Sequence, residues 1–350
     1  MQLGTTFNRG VDFNTEAARI VELERAGLDA VWVAESYSND AVSALGYLAA
    51  VTERVRLGTG ILNVFSRSAT AIAQTASGLD TVSGGRFVLG LGASGPQVIE
   101  GFHGIPYEKP MSRLREYIEV IRATLRRERV VHSGPTVKIP LPEGEGTGLG
   151  KPLKLINHPV RDEIPIWWAS LMLRSVEETA RVANGWLPIQ MVPERLRDVW
   201  GDALERGLAD RPAELGTLEI SAPATVAISD DYVGEAAAQI LDLSRPGTAL
   251  YWGGMGARGK NFYNDVASAM GYADEARQIQ DLYLDGRKDA AAAAVPTDFL
   301  QRANLVGPES QIAERLAAWK EAGLTMINLQ LRGREPLRDL ERLRDLVDEL

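Results

Sequence analysis

Along the first hundred residues, short β-branched or apolar runs alternate with longer amphipathic ones, and Gly or Asp punctuates each exchange. Residues 2–7 form a first predicted strand. Residues 15–26 follow as a helix, because Ala18, Ile20, Leu23 and Ala26 fall near one face and Gly27 closes it as a C-cap. Strands two to four fall at 29–35 (DAVWVAE), 55–62 and 86–93 (RFVLGLGA), separated by helices at 40–53 and 70–82. After a helix near 111–129, Gly and Pro crowd residues 130–161, which makes this stretch an insertion. The alternation resumes with strands at 164–170, 185–190 and 217–229 and helices at 175–183 and 193–207. A long helical region, 231–287, interrupted by YWGGMGARGK, is a second insertion reaching to about residue 300. An eighth strand (326–331) and a closing helix (335–350) complete the chain. Eight strands, intervening helices and no repeated blocks favour an α/β fold, a single (β/α)8 TIM barrel domain over residues 1–350, rather than a doubly wound open sheet.

Composition narrows the function. With 38 basic and 47 acidic residues the net charge is −9, and no long basic run exists to displace counterions, so a nucleic-acid partner is not expected. The hydrophobic share, 45%, suffices for a large core and excludes disorder as the dominant state. No apolar run approaches the ~20 residues that cross a bilayer, and the start of the chain lacks a basic and then apolar leader; a cytoplasmic protein without a membrane partner is expected. The absence of cysteine removes disulfides, thiolate clusters and thiol nucleophiles. His103, His132 and His158 form no close ligand pair, so no metal site is expected.

In a barrel the chemistry gathers where strands end and helices begin. After strand four, Gly90-Leu91-Gly92-Ala93-Ser94-Gly95-Pro96 lets backbone approach a ligand, but it lacks the opening of a dinucleotide-binding turn and has no phosphate-loop lysine. Glu35 ends an apolar strand, so its carboxylate needs a ligand or a partner, and a structural salt bridge at the rim is the plainer alternative. His103, flanked by Phe102 and Tyr107, is a candidate acid or base, with a hydrogen-bonded loop histidine as its structural alternative. No G-x-S-x-G elbow supports a serine nucleophile.

AGLDAVWVAE, ERVRLGTGIL, a helix ending in SGGR and FVLGLGASGPQVIEGFHGIPY resemble the luciferase-like flavin-dependent monooxygenase superfamily, in particular its branch of coenzyme F-420-dependent oxidoreductases. GTGLGKPLKL, NHPVRDEIPIW, VANGWLP, GGMGARGKNFYND and LVGPESQIAERLAAWKEAG extend the resemblance over nearly the whole chain. It implies a barrel with insertions, a deazaflavin or flavin across its C-terminal mouth, and a homodimer. It further implies a non-proline cis peptide at Gly60–Ile61 behind the ring, an acidic ring partner at Glu35, and cofactor contacts from Asn63, from Gly92, Ala93, Ser94 and Gly95, and from a phosphate-holding segment, Ala169, Ser170, Leu171, Met172, Leu173 and Arg174. Met172-Leu173 replace the Gly-Pro pair of many members, and Arg174 supplies a charge there instead. The acid–base His and Glu of the sugar-phosphate dehydrogenase branch align with Ser36 and roughly Gly95, so sugar phosphate is not the expected substrate. The expectation is hydride exchange between coenzyme F-420 and a small alcohol, carbonyl compound or enone. Glu35 orients the cofactor, His103, Tyr37 or Glu100 handles the substrate proton, and Phe7, Tyr37, Phe65, Phe102, Trp252 and Phe262 shape an apolar pocket. The alternatives are an FMN-dependent monooxygenase and a cofactor-binding barrel without catalysis.

Overall fold

The computed structural model describes residues 1–350. Its main strands are β1 (Gln2–Thr6), β2 (Ala30–Val33), β3 (Arg56–Thr59), β4 (Phe87–Gly92), β5 (Ile166–Trp168), β6 (Gly185–Trp186), β7 (Glu219–Ile228) and β8 (Met326–Leu331). Their order, β8-β1-β2-β3-β4-β5-β6-β7 with β7 paired to β8, is a closed (β/α)8 barrel. By contacts the chain divides into two compact units. One comprises Phe7–Val21 and Ala30–Ala169, the other Met1–Thr6, Glu22–Asp29 and Ser170–Leu350.

In the first unit β2 pairs with β3 from Ala30↔Arg56 to Val33↔Thr59, β3 with β4 at Leu57↔Phe87, and β4 with β5 at Leu89↔Ile166, all parallel. Every residue of β2, β4 and β5 is buried, as expected of parallel strands covered on both faces. Close packing demands glycine at Gly58 and Gly90 in these strands. A Cβ on Gly58 would lie 2.4 Å from the Trp32 indole, which packs on Trp167 with centroids 5.1 Å apart. A Cβ on Gly90 would lie 1.8 Å from the Thr59 carbonyl oxygen. Thr59 takes advantage of that closeness: its hydroxyl donates to the Gly90 carbonyl and accepts the Gly90 N–H, both at 2.8 Å.

The third predicted strand is not continuous. Leu57 and Gly58 pair with Phe87 and Val88, whereas the short strand Leu62–Asn63 pairs with Leu91 and Gly92, so β3 carries one more residue than β4 over the same span. The bulge falls at Gly60–Ile61, whose peptide bond is cis. Helix α1 (Ala41–Val51) starts at Asp40, whose carboxylate accepts the Ser43 N–H at 2.8 Å. Helix α2 (Ala69–Val82) starts at Ser68, which caps Ala71. The expected insertion at 130–161 holds one small hairpin, His132–Ser133 against Lys138–Ile139.

In the second unit β1 pairs with β8 from Gln2↔Met326, β7 with β8 from Ser221↔Met326, and β6 with β7 at Gly185↔Glu219. β6 stops at Trp186 rather than at the predicted residue 190 because Pro188 has no N–H for the ladder. A short strand that the pattern did not announce, Leu305–Gly307, pairs with β7. The helical region predicted over 231–287 is broken into segments, Gly234–Asp242, Arg245–Ala249, Phe262–Ala267 and Ala273–Leu284 among them. Gly271, at φ 100°, sits at one of the breaks. No helix is long and apolar enough to cross a membrane.

Candidate active site

The sequence-predicted residues of the first unit gather at the C-terminal ends of β2, β3 and β4. Past β2 the chain turns through Ser36, a residue in the left-handed region (φ 47°), and Glu35 is buried. A buried carboxylate requires compensation. Arg67 provides it with two charge-assisted bonds, Nη1 to Oε1 at 2.6 Å and Nη2 to Oε2 at 2.9 Å. The N–H of Ala41, at the start of α1, adds a third contact at 3.2 Å. The Glu35 carboxylate in turn raises the Arg67 guanidinium above its ordinary pKa. The main-chain oxygen of Glu35 accepts from Ser38 Oγ at 2.9 Å and Arg9 Nη1 at 3.2 Å. Both carboxylate oxygens are therefore engaged by the protein, in the salt bridge that the sequence offered as the plainer alternative.

Past β3 the half-exposed Gly60 and Ile61 lead into the buried Asn63. The Asn63 side-chain oxygen accepts the N–H groups of Phe65 at 3.0 Å and Ser66 at 2.8 Å, and its amide nitrogen faces His103 Nε2 at 3.4 Å. Ile61 lies against the end of β4, where a Cβ on Gly92 would meet its Cδ1 at 3.0 Å, so only glycine leaves the isoleucine undisturbed. Beyond Gly92 the chain runs through Ala93, Ser94 (φ 58°) and Gly95 into a short helix, Pro96–Gly101. The N–H groups of Ala93, Ser94 and Gly95 donate to no group of the protein. Tyr107 secures this loop: its hydroxyl donates to the Ser94 carbonyl at 3.0 Å and its N–H to Glu100 at 3.2 Å. The Tyr107 ring stacks on Phe65, 5.3 Å between centroids, and burial pushes the phenol up to about 12. Arg113 covers the Phe65 ring, 4.7 Å from its centroid.

The aromatic expectations divide by burial. Tyr37 and Phe102 are 62% and 64% exposed, with ring centroids 6.4 Å apart, and the half-buried His103 packs edge-on against Phe102. Phe7 and Phe65, in contrast, are buried, and Phe7 packs on Phe13 at 5.3 Å. Phe7 belongs to the core, because the N–H at its position pairs with the Trp32 carbonyl and turns the ring inward among aromatic neighbours. In the second unit Trp252 corrects the expectation most clearly. It is fully buried between Tyr272 and Phe299, so it fills the core of the second insertion and presents no surface to a substrate. Phe262, in the same insertion, is partly exposed.

Ala169, at the end of the first unit, donates its N–H to the Leu91 carbonyl. In the second unit Ser170 is buried, its hydroxyl paired with Thr179 and its carbonyl accepting Trp186 Nε1 at 2.9 Å. The Leu171 carbonyl accepts Trp200 Nε1 at 2.7 Å. Met172, Leu173 and Arg174 are exposed at the start of the helix Leu173–Val182, where the Met172 carbonyl accepts the Ser175 N–H and hydroxyl. Arg67 and Tyr107 were missed by sequence reasoning. The signal for Arg67 was available: a carboxylate buried at the end of β2 needs a cation, and Arg67 follows the next strand over.

Residues 2–326 match the family model described as Luciferase-like monooxygenase. The chain belongs to this family. It is 40% identical over 331 residues, 93% of each chain, to a Mycobacterium tuberculosis protein named "Putative coenzyme F420-dependent oxidoreductase Rv3520c". Among solved structures it resembles a coenzyme F420-dependent tetrahydromethanopterin reductase from Methanopyrus kandleri (TM-score 0.79, 20% identity, covering 98% of this chain and 96% of that one). It also resembles an F420-dependent secondary alcohol dehydrogenase in complex with an F420-acetone adduct (TM-score 0.72, 17% identity, 99% and 98% covered).

Proposed function

We propose that this protein is a coenzyme F-420-dependent oxidoreductase that exchanges a hydride between the deazaflavin and a small organic alcohol, carbonyl compound or enone. The reading is carried by one observation: three consecutive unsatisfied N–H groups at Ala93, Ser94 and Gly95, beside Gly92 and the half-exposed Ile61. A flat ring edged with carbonyl oxygens suits that combination, because its oxygens find donors and its face finds apolar side chain. Ile61 backs the ring, Gly92 keeps the approach free of a Cβ, and the 93–95 backbone holds the ring oxygens. When bound, the deazaflavin supplies the carbon that gives or takes the hydride. Glu35 and Arg67 act at one remove by fixing the turn after β2, and Tyr107 fixes Ser94. The exposed pair Tyr37 and Phe102 suits an apolar or cyclic substrate, with His103 beside it for the substrate oxygen. A homodimer in the cytoplasm is part of the same reading.

The test is a spectroscopic titration of the purified protein with coenzyme F-420 and, separately, with FMN, followed by hydride-transfer assays over alcohols, ketones and enones. Saturable deazaflavin binding with turnover of at least one substrate class is expected. FMN binding without deazaflavin binding would replace this reading with a flavin monooxygenase, and binding without turnover across the panel would replace it with a cofactor carrier.

A further inference from the structure

We propose that Asn63 is a positioning residue that holds His103 in one tautomer, with Nε2 unprotonated and the proton on Nδ1, so that His103 offers an N–H donor to an oxygen atom of a ligand. The argument starts from the orientation of the Asn63 amide. Two backbone N–H groups, of Phe65 and Ser66, converge on one atom of the side chain at 3.0 and 2.8 Å, and only the oxygen accepts two donors. The other atom, which faces His103 Nε2 at 3.4 Å, is therefore the NH2 nitrogen. An amide NH2 is a donor only, so Nε2 is the acceptor, and a neutral imidazole with Nε2 accepting carries its hydrogen on Nδ1. Asn63 is buried and cannot turn away without releasing both N–H groups, while Phe102 lies edge-on to the imidazole at 5.2 Å. Nδ1 has no partner within the protein, and His103 is half-buried, so its N–H is open to a ligand. The ligand atom it suits is an oxygen with a free lone pair, a carbonyl of the deazaflavin ring or the oxygen of a ketone or alcohol. In this arrangement His103 polarises that oxygen as a neutral donor. The tautomer stands on the geometry alone; the role rests on the functional reading above.

The experiment is nitrogen NMR of the histidine-labelled protein at alkaline pH, with His103 assigned by its loss in His103→Gln. In the unsubstituted protein Nε2 is expected in the unprotonated range and Nδ1 in the N–H range; the reverse overturns the proposal without any variant. Asn63→Asp keeps an oxygen for Phe65 and Ser66 but turns an acceptor toward Nε2, so Nε2 is expected to shift into the N–H range. An unchanged spectrum in that folded variant also overturns it. Addition of coenzyme F-420, and then of cyclohexanone, identifies the acceptor. A shift of the Nδ1 proton with the first assigns it to the cofactor, and a shift only with the second assigns it to the substrate. If both bind and Nδ1 does not move, the donor role is refuted. Failure of F-420 to bind a protein with the expected tautomer would count against the functional reading alone.

Discussion

Replacing Arg67 by Met removes both charge-assisted bonds to the buried Glu35 and leaves its carboxylate with a single N–H contact, from Ala41 at 3.2 Å. Breaking a buried ion pair costs about 3–5 kcal/mol, but the Arg67 side chain is itself 24% exposed, so water reaches one side of the pair and about 2–3 kcal/mol is expected. Glu35→Gln keeps an acceptor for Ala41 while removing the charge. In that background Arg67→Met should cost much less, giving a coupling energy of about 2 kcal/mol in a double-mutant cycle. Urea unfolding of the four proteins, followed by circular dichroism, measures it, with m values checked for constancy. A coupling below about 0.5 kcal/mol, the level of an exposed pair, would refute the claim that Glu35 is held by Arg67.

Two further outcomes follow from the geometry. Asp339 is buried and its carboxyl is pushed up to about 6, chiefly by burial and with Glu335 adding to it, against the opposing Ile228 N–H and Arg342. The folded protein therefore holds more protons than the unfolded chain between pH 4 and 6, so this residue's contribution to stability falls as pH rises through that window. Asp339→Asn should gain about 3 kcal/mol on the parent between pH 3.5 and 7, and parallel stability curves would disprove the assignment. Gly90→Ala places a methyl 1.8 Å from the Thr59 oxygen across two buried strands, and should destabilise by about 3 kcal/mol or more. A melting curve within about 1 kcal/mol of the parent would show that the strands can part there.

What the sequence determined by itself is the order of elements and their kind. The two-residue and 3.6-residue periods, with Gly and Pro at the joins, locate strands and helices because burial on one face or both is a local property of the chain. That order also directs attention to the strand ends, where Glu35 and the Gly92–Gly95 loop lie, while His103 stood out as a rare histidine among aromatic residues and Asn63 came from the family resemblance. The tertiary structure alone decided which side chains meet. Arg67 is 32 residues from Glu35, and Tyr107 is 13 from Ser94. No periodicity encodes a contact that depends on how neighbouring strands align. The register step between β3 and β4 belongs to the same class, since one extra residue becomes visible only against its partner strand. Burial sorted the aromatic residues for a similar reason. Trp252 and Phe102 look alike beside their glycines, yet one is enclosed by Tyr272 and Phe299 and the other projects into solvent, an outcome set by residues distant in the chain.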